Sequence, residues 1–178
     1  MKMVDIEVEI RSFISEENYI ELLDYFKTNA KFINKEYQET YYFDSEQDLR
    51  IQKSNNYSKV WLKKGKLHDD HREEIEIKVP VNDFDNLNNL FLALNYNVNI
   101  KWFRTRHTFD WNNISVMIDY TKGYGYIIEL EKMSSELDKL NDLELLKNLL
   151  NSLNIKETPK EDFNKKYEFY KTNWKTLV

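Results

Sequence analysis

The chain opens on a strict alternation of apolar and charged positions. In Asp5-Ile6-Glu7-Val8-Glu9-Ile10-Arg11 every second side chain is aliphatic, the period of a β-strand with one buried face. The same period predicts strands over 5–13, 36–43, 49–52, 58–64, 72–79, 100–111, 114–120 and 124–132. Asn112-Asn113 predicts a short hairpin turn, and Gly123 with Gly125 the next reversal. Helical spacing is found over 15–31, 83–95, 134–152 and 160–174, with Ser15 placed to cap the first helix. Leu137, Leu140, Leu143, Leu146, Leu150 and Leu153 form a stripe expected to enter the core, and Thr158-Pro159-Lys160-Glu161 reads as a capping box. Short links between successive strands favour antiparallel pairing. The fold class is therefore α+β, a sheet of many strands with helices beside it.

The polar positions on those strands change the picture. Glu7-Val8-Glu9-Ile10-Arg11 has counterparts in Glu74-Ile75-Glu76-Ile77-Lys78 and in Glu129-Leu130-Glu131. Extending each alternation collects the acids Asp5, Glu7, Glu9, Glu74, Glu76, Asp110, Asp119, Glu129 and Glu131 on one sheet face. The bases Arg11, Arg50, Lys59, Lys63, Arg72, Lys78, Arg104 and Arg106 share that face. A sheet with one solvated face carries some salt-bridged charge, yet such a face would also use Thr, Ser and Gln freely. Nine acids interleaved with eight bases on one surface point instead to a lined cavity if the sheet curls into a barrel. Clustered carboxylates suit a hard divalent cation such as Mg²⁺ or Mn²⁺. Clustered Arg and Lys suit phosphate, which matches the guanidinium fork. The two together imply a metal–polyphosphate complex.

Bulk properties fit this and exclude alternatives. The 178 residues are enough for one domain with a real core, expected to span 1–178. A net charge of −5 argues against a broad nucleic-acid surface. The absence of cysteine excludes disulfides, thiolate metal sites and cysteine nucleophiles. No apolar run approaches the ~20 residues of a membrane span, and no signal peptide is recognisable. A cytoplasmic protein, monomer or homodimer, with a triphosphate-containing small molecule as its partner and no membrane association, is the expectation.

Six motifs in chain order resemble the triphosphate tunnel metalloenzyme, or CYTH, superfamily, which includes class IV adenylate cyclases, thiamine triphosphatases and inorganic triphosphatases. Glu7-Val8-Glu9-Ile10-Arg11 stands where that family has E-x-E-x-K. Leu49-Arg50-Ile51-Gln52 stands where it has L-R-x-R. Lys63 ahead of Gly65, Arg72-Glu73-Glu74-Ile75-Glu76, the pair Arg104 and Arg106, and the closing Asp119, Gly123, Gly125, Glu129 and Glu131 complete the series. The resemblance implies an eight-stranded antiparallel β-barrel, a tunnel with a charged interior and helices packed outside. It implies metal ligation by Glu7, Glu9, Asp119, Glu129 and Glu131, and a triphosphate gripped by Arg50, Lys63, Arg72, Arg104 and Arg106. Glu7, Glu9, Arg11, Lys63, Glu74 and Glu76 form the implied catalytic group, with Glu74 and Glu76 holding a second metal or positioning a water.

The implied activity is Mg²⁺- or Mn²⁺-dependent hydrolysis of inorganic triphosphate, a nucleoside triphosphate such as ATP, or thiamine triphosphate. The alternatives are a class IV adenylate cyclase making cyclic AMP and pyrophosphate from ATP, and a non-catalytic polyphosphate or nucleotide binder. Three departures from the family pattern stand out. Arg11 replaces a lysine and cannot serve as a base, Gln52 replaces an arginine, and Trp61 takes a face position where something small is usual. Other features are read as structural. His68-Asp69-Asp70-His71 is a polar loop and His107 a packed histidine. Tyr41-Tyr42-Phe43 is core, and Tyr167, Phe169, Tyr170 and Trp174 are packing anchors.

Overall fold

The structure, a computed structural model, describes residues 6–63 and 74–178. The elements follow as β1 (Ile6–Ile14), α1 (Glu16–Asn29), β2 (Lys31–Phe43), β3 (Asp48–Lys53), β4 (Tyr57–Lys63) and β5 (Glu74–Pro80). A short 3₁₀ turn (Val81–Asp83) leads into α2 (Phe84–Ala93), β6 (Val98–Trp111), β7 (Ile114–Thr121), β8 (Gly125–Ser134), α3 (Lys139–Ser152) and α4 (Lys160–Leu177). The eight strands form one sheet in the order β1-β8-β7-β6-β2-β3-β4-β5, and its ladders are antiparallel. The expected α+β class and strand number are thus present. Among the described residues the hydrogen-bond ladder leaves β1 and β5 as the two edges.

The chain packs as two compact units, one from the described parts of Met1–Lys35 with Thr105–Phe169, the other from those of Glu36–Arg104 with Tyr170–Val178. In the first, Val8 and Ile10 of β1, Val116 and Ile118 of β7, and Ile128 and Leu130 of β8 share one face. They are buried against Leu22 and Phe26 of α1 and Leu146 and Leu150 of α3. Phe26 meets Phe109 and Trp111 of β6 through ring contacts, and His107 packs beside Tyr19 as expected. Burial, followed by the charge of Lys35, holds the His107 pKa below its usual value. In the second unit Phe43, Leu49 and Ile51 are buried with Phe84 of α2, flanked by Tyr41, Val60 and Leu62. The apolar stripes predicted on β1, β3, β4, β7 and β8 are therefore faces that the helices cover.

Local chemistry sets the junctions. The Ser15 hydroxyl accepts the Asn18 amide at 3.1 Å, the N-cap that the sequence predicts. Its loss in Ser15→Ala costs about 1 kcal/mol of stability, measurable by denaturant unfolding. Asn112 and Asn113 adopt φ of 55° and 65°, the left-handed pair of a tight hairpin, and Asp110 accepts the Asn113 amide. Gly125, at φ +113°, lies in a backbone region that side-chain-bearing residues avoid.

Several sequence expectations are corrected. β8 runs to Ser134 and α3 starts at Lys139, not at 134. Leu137, ahead of the helix, is 91% exposed and Leu140, in its first turn, 71%, and the leucine stripe reaches the core from Leu143 onward. The Thr158 hydroxyl pairs with Ser12 Oγ at 2.8 Å and accepts the Phe13 amide, tying the segment before α4 to β1. Ile75 and Ile77 are 47% and 58% exposed, because β5 is an edge strand with apolar positions that no described helix covers. Phe169 is exposed, whereas Tyr170 is buried with its hydroxyl donating to the Lys101 carbonyl. Lys64, Gly65, Arg72 and the His68-to-His71 loop lie outside the described residues. No described helix is long and apolar enough to cross a membrane.

Candidate functional site

The face opposite the helices carries the charged residues, and each unit holds its own set. In the first unit β1 and β8 pair so that Glu9 stands opposite Glu131 and Arg11 opposite Glu129. The next ladder sets Ser115 beside Glu131 and Met117 beside Glu129. Directly opposed carboxylates with Cβ atoms about 5 Å apart repel, and the consequence is visible at Glu131. Burial, then the charges of Glu7, Glu129 and Glu9, push its pKa up from 4.5 to about 7, with Arg106 pulling the other way.

Arg106 is the cation of this group. Its Nε and Nη2 donate to both oxygens of Asp119 at 2.9 and 2.7 Å, and Glu129 Oε2 lies 3.6 Å from Nη2. Burial alone would lower the Arg106 pKa. The charges of Asp119 and Glu129 outweigh it and hold the guanidinium above its ordinary value. Asp119 is almost wholly enclosed, 1% exposed. Arg11 lies over the Phe163 ring at 4.8 Å. The set brought together here is Glu7, Glu9, Asp119, Glu129 and Glu131 against Arg11 and Arg106. Acid is in excess.

In the second unit the register builds rows across the sheet. Asp48 faces Lys63, which faces Glu74. Arg50 is flanked by Tyr42 and Trp61, with Glu76 beyond. Gln52 lies beside Lys59, and Lys59 beside Lys78. Arg50 is bidentate to Asp48 through Nε and Nη2. Its guanidinium lies over the Tyr42 ring at 4.3 Å and 5.6 Å from the Trp61 centroid. Trp61 is 5% exposed and carries the Lys59 ammonium at 4.4 Å on its ring. Lys59 donates to Glu76 at 2.7 Å, and Lys78 stands 3.6 Å from the same carboxylate. Burial works to raise the Glu76 pKa, but the Lys59 and Lys78 contacts prevail and it is lowered. Arg104 lies over Trp102 at 5.7 Å. Here the bases predominate, so the interleaved surface read from the sequence is partitioned: surplus acid in one unit, surplus base in the other.

These placements also show what sequence reasoning missed. Asp48 went unremarked although it stands two residues before Arg50 on one strand, hence on the same face. Tyr42 was read as core, but register puts it on the charged face beneath Arg50, while Tyr41 and Phe43 face the helix.

Known proteins can now be set beside this geometry. The CYTH domain family matches residues 5–165. The chain belongs to the CYTH family. A Methanocaldococcus jannaschii protein, provisionally named an adenylate cyclase, is 29% identical to this CYTH protein over 160 residues, covering 84% of this chain and 90% of the relative. A conserved hypothetical protein of Pyrococcus furiosus superposes with a TM-score of 0.68 at 22% identity, covering 85% and 92% of the two chains. A Hippeastrum protein, provisionally called an adenylyl cyclase and described as revealing a dominant triphosphatase activity, superposes at 0.62 with 19% identity, covering 85% and 89%. These likenesses show that the CYTH chain has the barrel-like α+β fold of the solved structures. The E-x-E-x-R strand and the closing Glu129 and Glu131 were sound guides to the family.

Proposed function

We propose that this CYTH protein is a divalent-metal-dependent triphosphate hydrolase. The observation that carries the reading is the crowding at Glu131, where Glu7, Glu9 and Glu129 leave carboxylate charge that Arg106 does not balance. The donor chemistry, carboxylate oxygen throughout, fits a hard cation such as Mg²⁺ or Mn²⁺. Among the described residues no three acidic or histidine side chains converge closely enough to cage an ion. Glu7, Glu9, Glu129 and Glu131 would hold the cation, and Asp119 would serve by fixing Arg106. Bound there, the cation would neutralise phosphate oxygens and make an attacking water more acidic.

The chain's own part is positioning and charge neutralisation. Phosphate oxygens would be bound by Arg50, Lys63 and Arg104 in the second unit and by Arg106, supported by Arg11, in the first; Arg72, outside the described residues, is proposed for the same role. Arg106 is pinned by Asp119 and stays charged at any working pH. Glu76, kept ionised by Lys59 and Lys78, would hold the neighbouring ammonium groups in place. Support for hydrolysis comes from the dominant triphosphatase activity ascribed to the Hippeastrum structure. The second reading, cyclisation of ATP to cyclic AMP with release of pyrophosphate, is favoured by the name of the Methanocaldococcus relative.

One panel decides between them: tripolyphosphate, ATP and thiamine triphosphate, each with Mg²⁺ or Mn²⁺, assayed for phosphate and for cyclic nucleotide. Phosphate release is the expected result. Cyclic AMP from ATP would establish the cyclase instead, and no turnover of any substrate would rule out both.

A further inference from the structure

Resting on that reading, we infer that Asp48 is a built-in competitor for the substrate's phosphate, and that it sets how tightly the triphosphate is held. Asp48 stands between two cations assigned to phosphate, bidentate to Arg50 on its own strand and directly across the ladder from Lys63. A carboxylate offers a guanidinium two oxygens in the geometry a phosphate would use. It therefore occupies the place where an anion bridging Arg50 and Lys63 would sit, and it adds a negative charge there.

A carboxylate so placed could instead serve only to hold the arginine still. The surroundings of Arg50 argue otherwise. Its guanidinium rests on Tyr42 at 4.3 Å and is flanked by Trp61, a platform that keeps it in place with or without Asp48. Arg106 is the contrast within the same chain, fixed by Asp119 and Glu129. On this view Tyr42 and Trp61 position Arg50, while Asp48 moderates its charge. Moderation suits an enzyme that must release a multiply charged product, since uniformly tight binding does not speed turnover.

The test is calorimetric titration of the full chain with tripolyphosphate in the absence of divalent metal, comparing the native protein with Asp48→Asn and Asp48→Ser. Asp48→Asn should bind roughly tenfold more tightly, by removal of one charge a few ångströms from the phosphate, and added salt should shrink the gain. Tyr42→Leu should bind more weakly. If the native chain binds and Asp48→Asn binds equally or less well, Asp48 is a structural support and the inference fails while the triphosphate reading stands. If neither chain binds tripolyphosphate even after Mg²⁺ is added, the triphosphate reading falls, and this inference with it. Loss of the near-ultraviolet circular dichroism of the folded state in both Asp48 variants would also overturn it.

Discussion

Glu131→Gln is expected to remove metal-dependent turnover, by roughly 100- to 1,000-fold, while making the metal-free protein more stable at alkaline pH. The two effects share a cause. Glu131 is pushed to a pKa of about 7 by burial and by Glu7, Glu129 and Glu9, so the folded state favours the protonated carboxyl. Below about pH 4.5 the group is protonated folded or unfolded and costs nothing. Between pH 4.5 and 7 the unfolded chain ionises first and stability falls; above 7 the full penalty is present. Allowing for solvent screening at this partly exposed site, that penalty is about 1 kcal/mol. Glutamine keeps the shape without the charge, so thermal unfolding at pH 8 without metal should favour the variant. The same titration makes added Mg²⁺ or Mn²⁺ raise the native Tm more at pH 8 than at pH 6. Destabilisation at pH 8 would show that Glu131 does not suffer this repulsion, and retained turnover would show that it does not bind the metal.

Asp119→Ala is expected to have the largest effect on the fold itself. Asp119 is buried and bidentate to Arg106. Removing it leaves a largely enclosed guanidinium with Glu129 at 3.6 Å and the more distant charge of Glu131. Breaking a buried pair from one side costs about 3 kcal/mol, which lowers Tm by roughly 6–12 °C in a chain of this length. Arg106→Met, which empties the other side of the pair and keeps its bulk, should partly relieve the cost in the double variant. A structural role requires the loss in metal-free protein. Were Asp119 chiefly a metal ligand, metal-free Asp119→Ala would melt close to the native temperature, and only the response to added cation would change.

Most of the architecture was legible because the sheet keeps one apolar face. Val8 with Ile10, Val116 with Ile118, and Ile128 with Leu130 announce their strands by period two and occupy the core. The first part of β2 escaped notice because Lys31 to Lys35 is exposed throughout and has no buried face to set a period. Leu137 misled for the opposite reason: its spacing fits a helix, but β8 and the turn after it claim the chain up to Asp138, and Leu140 falls in the first turn of α3, before the helix meets the core at Leu143. The charged residues were legible as a face but not as pairs. Arg106 with Asp119, and Arg50 with Asp48, are choices made by register and side-chain reach, which alternation does not encode. Tyr42 was hidden within a run of three aromatics whose members alternate between faces.

The uncovered isoleucines of β5 have a bearing on how the molecule keeps company with its own kind. Among the described residues, the amide groups of this rim strand have no partner strand beyond β4, and its two exposed aliphatic side chains make a template onto which a second chain could add. Pro80, at the end of that strand, contributes no amide hydrogen, and Glu76 and Lys78 put fixed charge on alternate positions. The same alternation that lays out the ionic face thus also acts as a gatekeeper against strand-to-strand aggregation in a crowded solution.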